Sequence, residues 1–148
     1  ITGSNTITGN LSSLPAVMTH VSIRGINTIT GNLSSLPAVM TIVSITGSNT
    51  ITGNLSSLPA VMIHVDIQGS NTINQYTAGR VWSANMSLLS IRGASVNTST
   101  LIDSLLIDLN NTTWTSNRVV NLRGTRSSAS DAAVTGLQAK GVSVTVTP

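Results

Sequence analysis

Ser44, His64 and Asp66 supply the hydroxyl, imidazole and carboxylate that a nucleophilic hydrolase needs. His20 and His64 are the only two imidazoles in the chain, and imidazole is the commonest metal ligand among side chains. Arg24, Arg92 and Arg123 carry planar forks of donors that suit sulfate, phosphate or carboxylate groups. Which of these chemistries is open to the protein depends on the elements that hold the side chains, and repetition dictates those elements.

A 22-residue unit recurs almost unchanged: Asn5 to Ile26 reads NTITGNLSSLPAVMTHVSIRGI, Asn27 to Ser48 reads NTITGNLSSLPAVMTIVSITGS, and Asn49 to Ser70 reads NTITGNLSSLPAVMIHVDIQGS. Such a period is the signature of a solenoid, in which each unit buries its apolar face only against its neighbours. Within each unit a short alternating stretch runs from Thr19 to Arg24, Thr41 to Thr46 or Ile63 to Gln68. Alternation predicts a strand buried on one side, by Val21 and Ile23, Val43 and Ile45, or Val65 and Ile67. Gly25, Gly47 and Gly69 end these strands where the chain must turn away. Asn27, Asn49 and Asn71, in step with Asn5, are placed to hydrogen-bond backbone groups of adjacent turns as a buried ladder. Ile29, Leu33, Leu36 and Met40 line the return path, and Pro37 keeps that path from becoming a long helix.

Met18-x-x-Val21-x-Ile23, followed by Asn27-x-Ile29-x-Gly31-x-Leu33-x-x-Leu36-Pro37, resembles the leucine-rich repeat family. The likeness covers residues 1–93. It departs from the family pattern by one extra residue before the Asn and by Ile, Val or Met at several Leu positions. GSNTITGNLSSLP and the later R-x-x-x-x-S-A-S-D-A-A-V are similar to the 22-residue-repeat surface and fibre proteins of gut bacteria and their phages. The resemblance implies an α/β solenoid, a right-handed coil with a parallel sheet on its concave face and a C-terminal α/β cap. It also implies a binding module displayed on a cell or virion surface.

Beyond residue 70 the unit is altered. Asn74 to Gly79 replaces the regular return path, and Met86-x-x-Leu89-x-Ile91-Arg92-Gly93 restores the strand. Leu101, Ile102, Leu105, Leu106 and Leu109 fall at helical spacing and predict a helix from Ser99 to Asn110, capped at Thr98 or Ser99. A last strand of the array is expected from Val119 to Arg123. Ser128-Ala129-Ser130-Asp131 has capping-box spacing and predicts a helix to about Lys140, stopped by Gly141. Val142, Val144 and Val146 then form a closing edge strand. Residues 1–93 thus read as repeats, the first truncated and the last irregular. Residues 94–148 read as an irregular repeat with a helix and cap in the same continuous domain, because a solenoid covers its last apolar face with an atypical unit. Trp82 and Trp114 precede strands and read as core filling.

Neighbouring strands lie ~4.8 Å apart, so outward positions align across the array. The first column is His20, Ile42, His64, Leu88 and Val119; the second is Ser22, Ser44, Asp66, Ser90 and Asn121; the third is Arg24, Thr46, Gln68, Arg92 and Arg123. Near-identical units differ in character here, while LSSLPAV is unchanged, which marks this face as the candidate binding surface for a protein or glycan, anionic groups included. The other chemistries fall away. His20 and His64 are two repeats apart, roughly 10 Å, whereas zinc ligands sit at about 2.0–2.1 Å from the ion. Ser44, His64 and Asp66 project in parallel from a flat sheet, with nothing to orient the imidazole as a triad requires. The reading therefore assigns no catalytic residue, metal or cofactor.

Seven Lys plus Arg against four Asp give a formal charge of +3, too thin a field for a nucleic-acid partner. No 18-residue apolar run is present to span a membrane as a helix. Cysteine is absent, so no disulfide framework exists. Only 7% of residues are charged, and a surface of Ser, Thr and Asn suits an extracellular, cell-surface or virion setting. N-x-S/T triplets, as at Asn10, Asn32 and Asn54, are expected from composition alone. Ile1 occupies the slot of Ile23, so the chain reads as the C-terminal piece of a longer protein, with an uncovered N-terminal face through which a homo-oligomer could form. A structural spacer or filament unit stacking end to end is the alternative function.

Overall fold

The structure is a computed structural model, and residues 7–93, 98–114 and 118–148 are described. Each repeat folds into two strands rather than one. The first strands are β1 (Ile7–Asn10), β3 (Asn27–Asn32), β5 (Thr50–Asn54) and β7 (Thr72–Gln75), which pair in that order as a four-stranded sheet. The second are β2 (His20–Arg24), β4 (Ile42–Thr46), β6 (His64–Gly69) and β8 (Leu88–Gly93). Helix α1 (Ser99–Asn110), β9 (Arg118–Arg123), helix α2 (Asp131–Ala139) and β10 (Val142–Thr147) complete the chain. The second set forms a six-stranded sheet in the order β10-β9-β8-β6-β4-β2. Both sheets are parallel and neither closes into a barrel, so the protein is of the α/β class.

The alternation of the strands decides what lies inside. Val21, Val43, Val65, Leu89 and Val120 occupy adjacent rungs of the six-stranded sheet and are all buried. They join Ile29, Ile51 and Ile73 of the four-stranded sheet in one apolar cluster with Leu33, Met40, Leu55 and Met62. Burying each such side chain contributes ~1.5–3 kcal/mol, and a core with no Phe relies on this repetition.

The four-stranded sheet is not anticipated by the sequence reading, which takes Asn27 onward as a return path. Thr-Ile-Thr-Gly is too short and too polar to announce a strand alone; it becomes one because an identical segment lies alongside. The first three of these strands, β1, β3 and β5, each lead into a single 3₁₀ turn, at Leu11–Ser13, Leu33–Ser35 and Leu55–Ser57. Asn10, Asn32 and Asn54 cap the turns, their Oδ1 atoms accepting the amides of Ser12, Ser34 and Ser56 at 2.9, 2.9 and 2.8 Å. The recurring N-L-S triplet thus has a local structural use beyond composition.

Asn27, Asn49 and Asn71 are buried. Asn49 Oδ1 accepts the Ile29 amide at 3.2 Å, and its Nδ2 donates to the Gln68 carbonyl at 3.0 Å. Asn27 Nδ2 donates to Thr46 O at 2.8 Å, and Asn71 Oδ1 accepts from Ile51 N at 3.0 Å. Asn5 lies outside the described residues. Ahead of this ladder the strands turn at Gly47 (φ +143°), where a Cβ would come within 2.5 Å of Gly25 O. The position needs glycine both for its left-handed backbone and for the closeness of the preceding repeat.

At the C-terminal end, Thr98 caps α1 by accepting the Leu101 amide, and Leu101, Ile102, Leu105, Leu106 and Leu109 are buried. The expected capping box is not formed. Ser127 Oγ instead accepts the Ala129 amide at 3.1 Å, opening a 3₁₀ turn over Ser128–Ser130 that leads into α2. The Ser130 hydroxyl is drawn to Asp103 of α1 at 2.6 Å, because a buried carboxylate needs donors more than the helix end does. Trp82 is buried, and Trp114 is half-buried with its Nε1 donating to Leu109 O.

Candidate functional site

The outward face of the six-stranded sheet carries the sequence-selected positions in three rows. Parallel pairing puts His20, Ile42, His64, Leu88 and Val119 side by side, and likewise Ser22, Ser44, Asp66, Ser90 and Asn121. Arg24 pairs with Thr46, and Gln68 with Arg92. Strand β10 extends each row by one residue, setting Ser143 beside Val119, Thr145 beside Asn121 and Thr147 beside Arg123.

By sequence alone all three rows are equally presented; the structure separates them. Ser44, Asp66 and Ser90 are 2, 8 and 0% exposed although they face away from the apolar core. Long side chains of the third row fold over them. Arg24 Nη2 reaches to Ser44 Oγ on the neighbouring strand at 3.4 Å, Gln68 Nε2 lies 3.0 and 3.3 Å from the two oxygens of Asp66, and Arg92 Nε donates to Ser90 Oγ at 3.2 Å. The middle row is therefore a floor and the third row its cover, with Arg24, Arg92 and Arg123 exposed. On the other side, Ile42, His64, Leu88 and Val119 form a half-buried row. Ser22, on the edge strand, stays exposed, and His20 is exposed with its Nδ1 at 2.8 Å from Thr19 Oγ1.

This face thus pairs a mainly apolar row with a cationic one. The two rows are four residues apart along the strand, roughly 13 Å. Ser44 and Asp66 are each held by a third-row side chain, and among the described residues neither is hydrogen-bonded to His64. No group of three His, Cys, Asp or Glu side chains converges among the described residues.

Two further polar clusters escape the sequence reading, which assigns Asp103 and Asp108 only to a helix. Asp108 Oδ2 accepts the Tyr76 hydroxyl at 2.7 Å and the amides of Gly79 and Arg80 at 2.7 and 3.0 Å. Trp82 Nε1 donates to the same hydroxyl at 3.1 Å, its ring stacks on Tyr76 at 6.3 Å, and the Arg80 guanidinium lies 4.5 Å from the indole centroid. Arg80 also donates to the carbonyls of Ser56, Leu58 and Pro59, tying the irregular unit to the regular one before it. Burial, and then the bond to Asp108, push the Tyr76 hydroxyl well above its ordinary range; burial lowers Arg80.

Asp103 accepts from Ser127 N, Ser127 Oγ and Ser130 Oγ. Burial opposes its charge, but the Ser127 and Ser130 donors outweigh that and hold the carboxyl below the usual carboxylate range. The signal for both clusters was present in the sequence: Asp103 and Asp108 interrupt the apolar face of a helix whose other charged positions are none.

No protein-family model matches this chain, and no characterised protein or solved structure is found to be similar to it. No described helix is long and apolar enough to cross a membrane.

Proposed function

We propose that the chain is a non-enzymatic binding module of the leucine-rich-repeat type, a right-handed solenoid that meets a protein or glycan through the outward face of its six-stranded sheet. The observation that carries this reading is the pattern of difference between near-identical repeats. Units that keep Val43, Ile45, Leu33 and Met40 equivalents constant change His20 to Ile42 to His64 and Arg24 to Thr46 to Gln68, on exposed or half-exposed positions of one face. Arg24, Arg92 and Arg123 favour ligands bearing sulfate, carboxylate or phosphate groups. The uncharged Ser, Thr and Asn surface fits display on a cell or virion exterior.

Replacing Arg92 and Arg123 by Ser tests the reading, with a glycan array as the probe. Capture of anionic glycans should fall while the melting temperature holds. Unchanged capture by the double variant would refute it.

A structural spacer that stacks end to end is favoured by one observation. Leu14, Met18 and Ile23 of the first described coil are half-buried, whereas Leu36, Met40 and Ile45 in the next coil are buried. Ile7, Leu11, Val21 and Ile23 line an apolar cavity of about 200 Å³ at that end. Light scattering that shows open-ended, concentration-dependent growth would support this second reading, and a chain that never exceeds two copies would remove it.

A further inference from the structure

The six-stranded sheet ends in two different edges. At one, β2 exposes His20 and Arg24, side chains of the kind that discourage a further strand. At the other, β10 reads Val-Ser-Val-Thr-Val-Thr, and from Gly141 to Pro148 there is no charged side chain, and no proline inside the strand. Among the described residues β10 has one neighbour, β9. Their apolar rows reveal the open side. Val120 and Leu122 of β9 are 0 and 1% exposed, yet their register partners Val144 and Val146 are only half-buried.

Backbone direction defines what this edge offers. Thr147 O accepts the Gly124 amide at 2.7 Å, so Thr147 turns its peptide groups toward β9. Alternate residues of a strand point their N–H and C=O to opposite sides. The peptide groups of Ser143 and Thr145 therefore also face β9, and those of Val142, Val144 and Val146 face outward.

We infer that β10 is a dimerisation strand that pairs antiparallel with β10 of a second copy, about a two-fold axis at Val144. The segment is its own complement in this register. Val144 meets its counterpart and Val142 meets Val146 as hydrogen-bonded pairs, which uses every outward-facing peptide group of the strand. Ser143 falls opposite Thr145 as a close, non-hydrogen-bonded pair. Valines stay on the core side and hydroxyls on the outer side, so neither sheet face changes character. A two-fold axis sets like beside like, and an uncharged strand meets itself without repulsion. The contact closes at two copies and joins two six-stranded sheets into one. It does not depend on what the sheet face binds.

Cysteine-free sequence makes the register directly testable. Cα atoms of a non-hydrogen-bonded antiparallel pair lie about 4.5 Å apart, within disulfide reach. Mixing the Ser143→Cys and Thr145→Cys variants under mild oxidation should give a covalent dimer several-fold faster than either variant alone. Sedimentation of the unmodified chain should show a reversible monomer–dimer equilibrium. Val144→Pro removes an outward N–H without touching the β9 ladder, and should weaken that equilibrium roughly tenfold or more with an unchanged melting profile. The Ser143→Lys, Thr145→Lys double variant should do the same, with partial recovery in high salt. A chain that stays monomeric at all concentrations, or a dimer indifferent to these variants, would overturn the inference.

Discussion

Asn49 Oδ1 accepts the backbone amide of Ile29, one repeat earlier, at 3.2 Å, while the same carboxamide donates forward to Gln68 O. One side chain thus satisfies buried peptide groups of two different neighbours, and it can do so only because Asn has both an acceptor and a donor on one planar group. Asn49→Leu keeps the branching at Cγ and orphans both partners. Each buried group left unpaired costs about 1–3 kcal/mol, so urea unfolding should show a loss of about 2–6 kcal/mol. Asn10→Ala, which removes an exposed 3₁₀ cap and an exposed bond from Nδ2 to the Thr30 hydroxyl, should cost only about 1 kcal/mol. Equal losses in the two variants would mean that the ladder is not what joins the repeats.

Glycine is required at Gly47 and optional at Gly9. Gly47 has φ +143°, and its added Cβ would sit 2.5 Å from Gly25 O, whereas a Cβ on Gly9 meets only Ile29 Cδ1 at an ordinary 3.9 Å. Gly47→Ala should destabilise the chain by more than about 1 kcal/mol. Gly9→Ala should be neutral or stabilise by about 0.5 kcal/mol, by restricting the unfolded chain. Thermal melts of the two variants side by side test the contrast.

The repeat made much of this arrangement legible. Once Val21, Val43 and Val65 recur at a fixed period with alternation, their parallel pairing and their apolar side follow, and so do the rows of His20, Ile42 and His64. The burial of Ser44 and Asp66 does not follow. It arises because Arg24 and Gln68 lie down on the sheet instead of standing away from it, a choice of rotamer that periodicity says nothing about. The strand at Asn27–Asn32 is hidden for a different reason: its Thr-Ile-Thr is extended by its neighbours and not by its own propensity. The carboxylates of Asp103 and Asp108 are legible only as polar residues on an apolar helix face, and their partners, Ser127 with Ser130 and Tyr76, come from distant segments.

Tyr76 is the sole tyrosine, so its ionisation can be followed by absorbance without interference. Burial and the Asp108 carboxylate raise its pKa in the folded chain, whereas the unfolded chain titrates near the ordinary value of about 10. A raised folded pKa means that the stabilisation is complete below about 10 and drains away as pH climbs past it. Tyrosinate absorbance should therefore stay low at pH values near 10.5 and rise only as the chain unfolds. Tyr76→Phe should cost about 1–2 kcal/mol at neutral pH, and its deficit should shrink in alkali. Free titration of the folded chain near 10 would contradict the bond to Asp108.

Asp103 carries the opposite sign. Donors from Ser127 and Ser130 hold its pKa below the carboxylate range of the unfolded chain, near 3.9, despite burial. Its contribution is complete above that value and is lost as pH falls through the folded pKa. Asp103→Asn should cost about 1–3 kcal/mol at pH 7, because an amide offers one acceptor atom where the carboxylate offers two. The gap between variant and parent should then narrow in acid, since the parent loses the same bonds on protonation. Hydrogen exchange adds a local readout. Amides of α2 should exchange faster in the variant at pH 7, while those of β3 and β5, remote from Asp103, keep their protection. A gap that stays constant down to pH 2 would show that the carboxylate's charge is not what docks Ser127 and Ser130 onto α1.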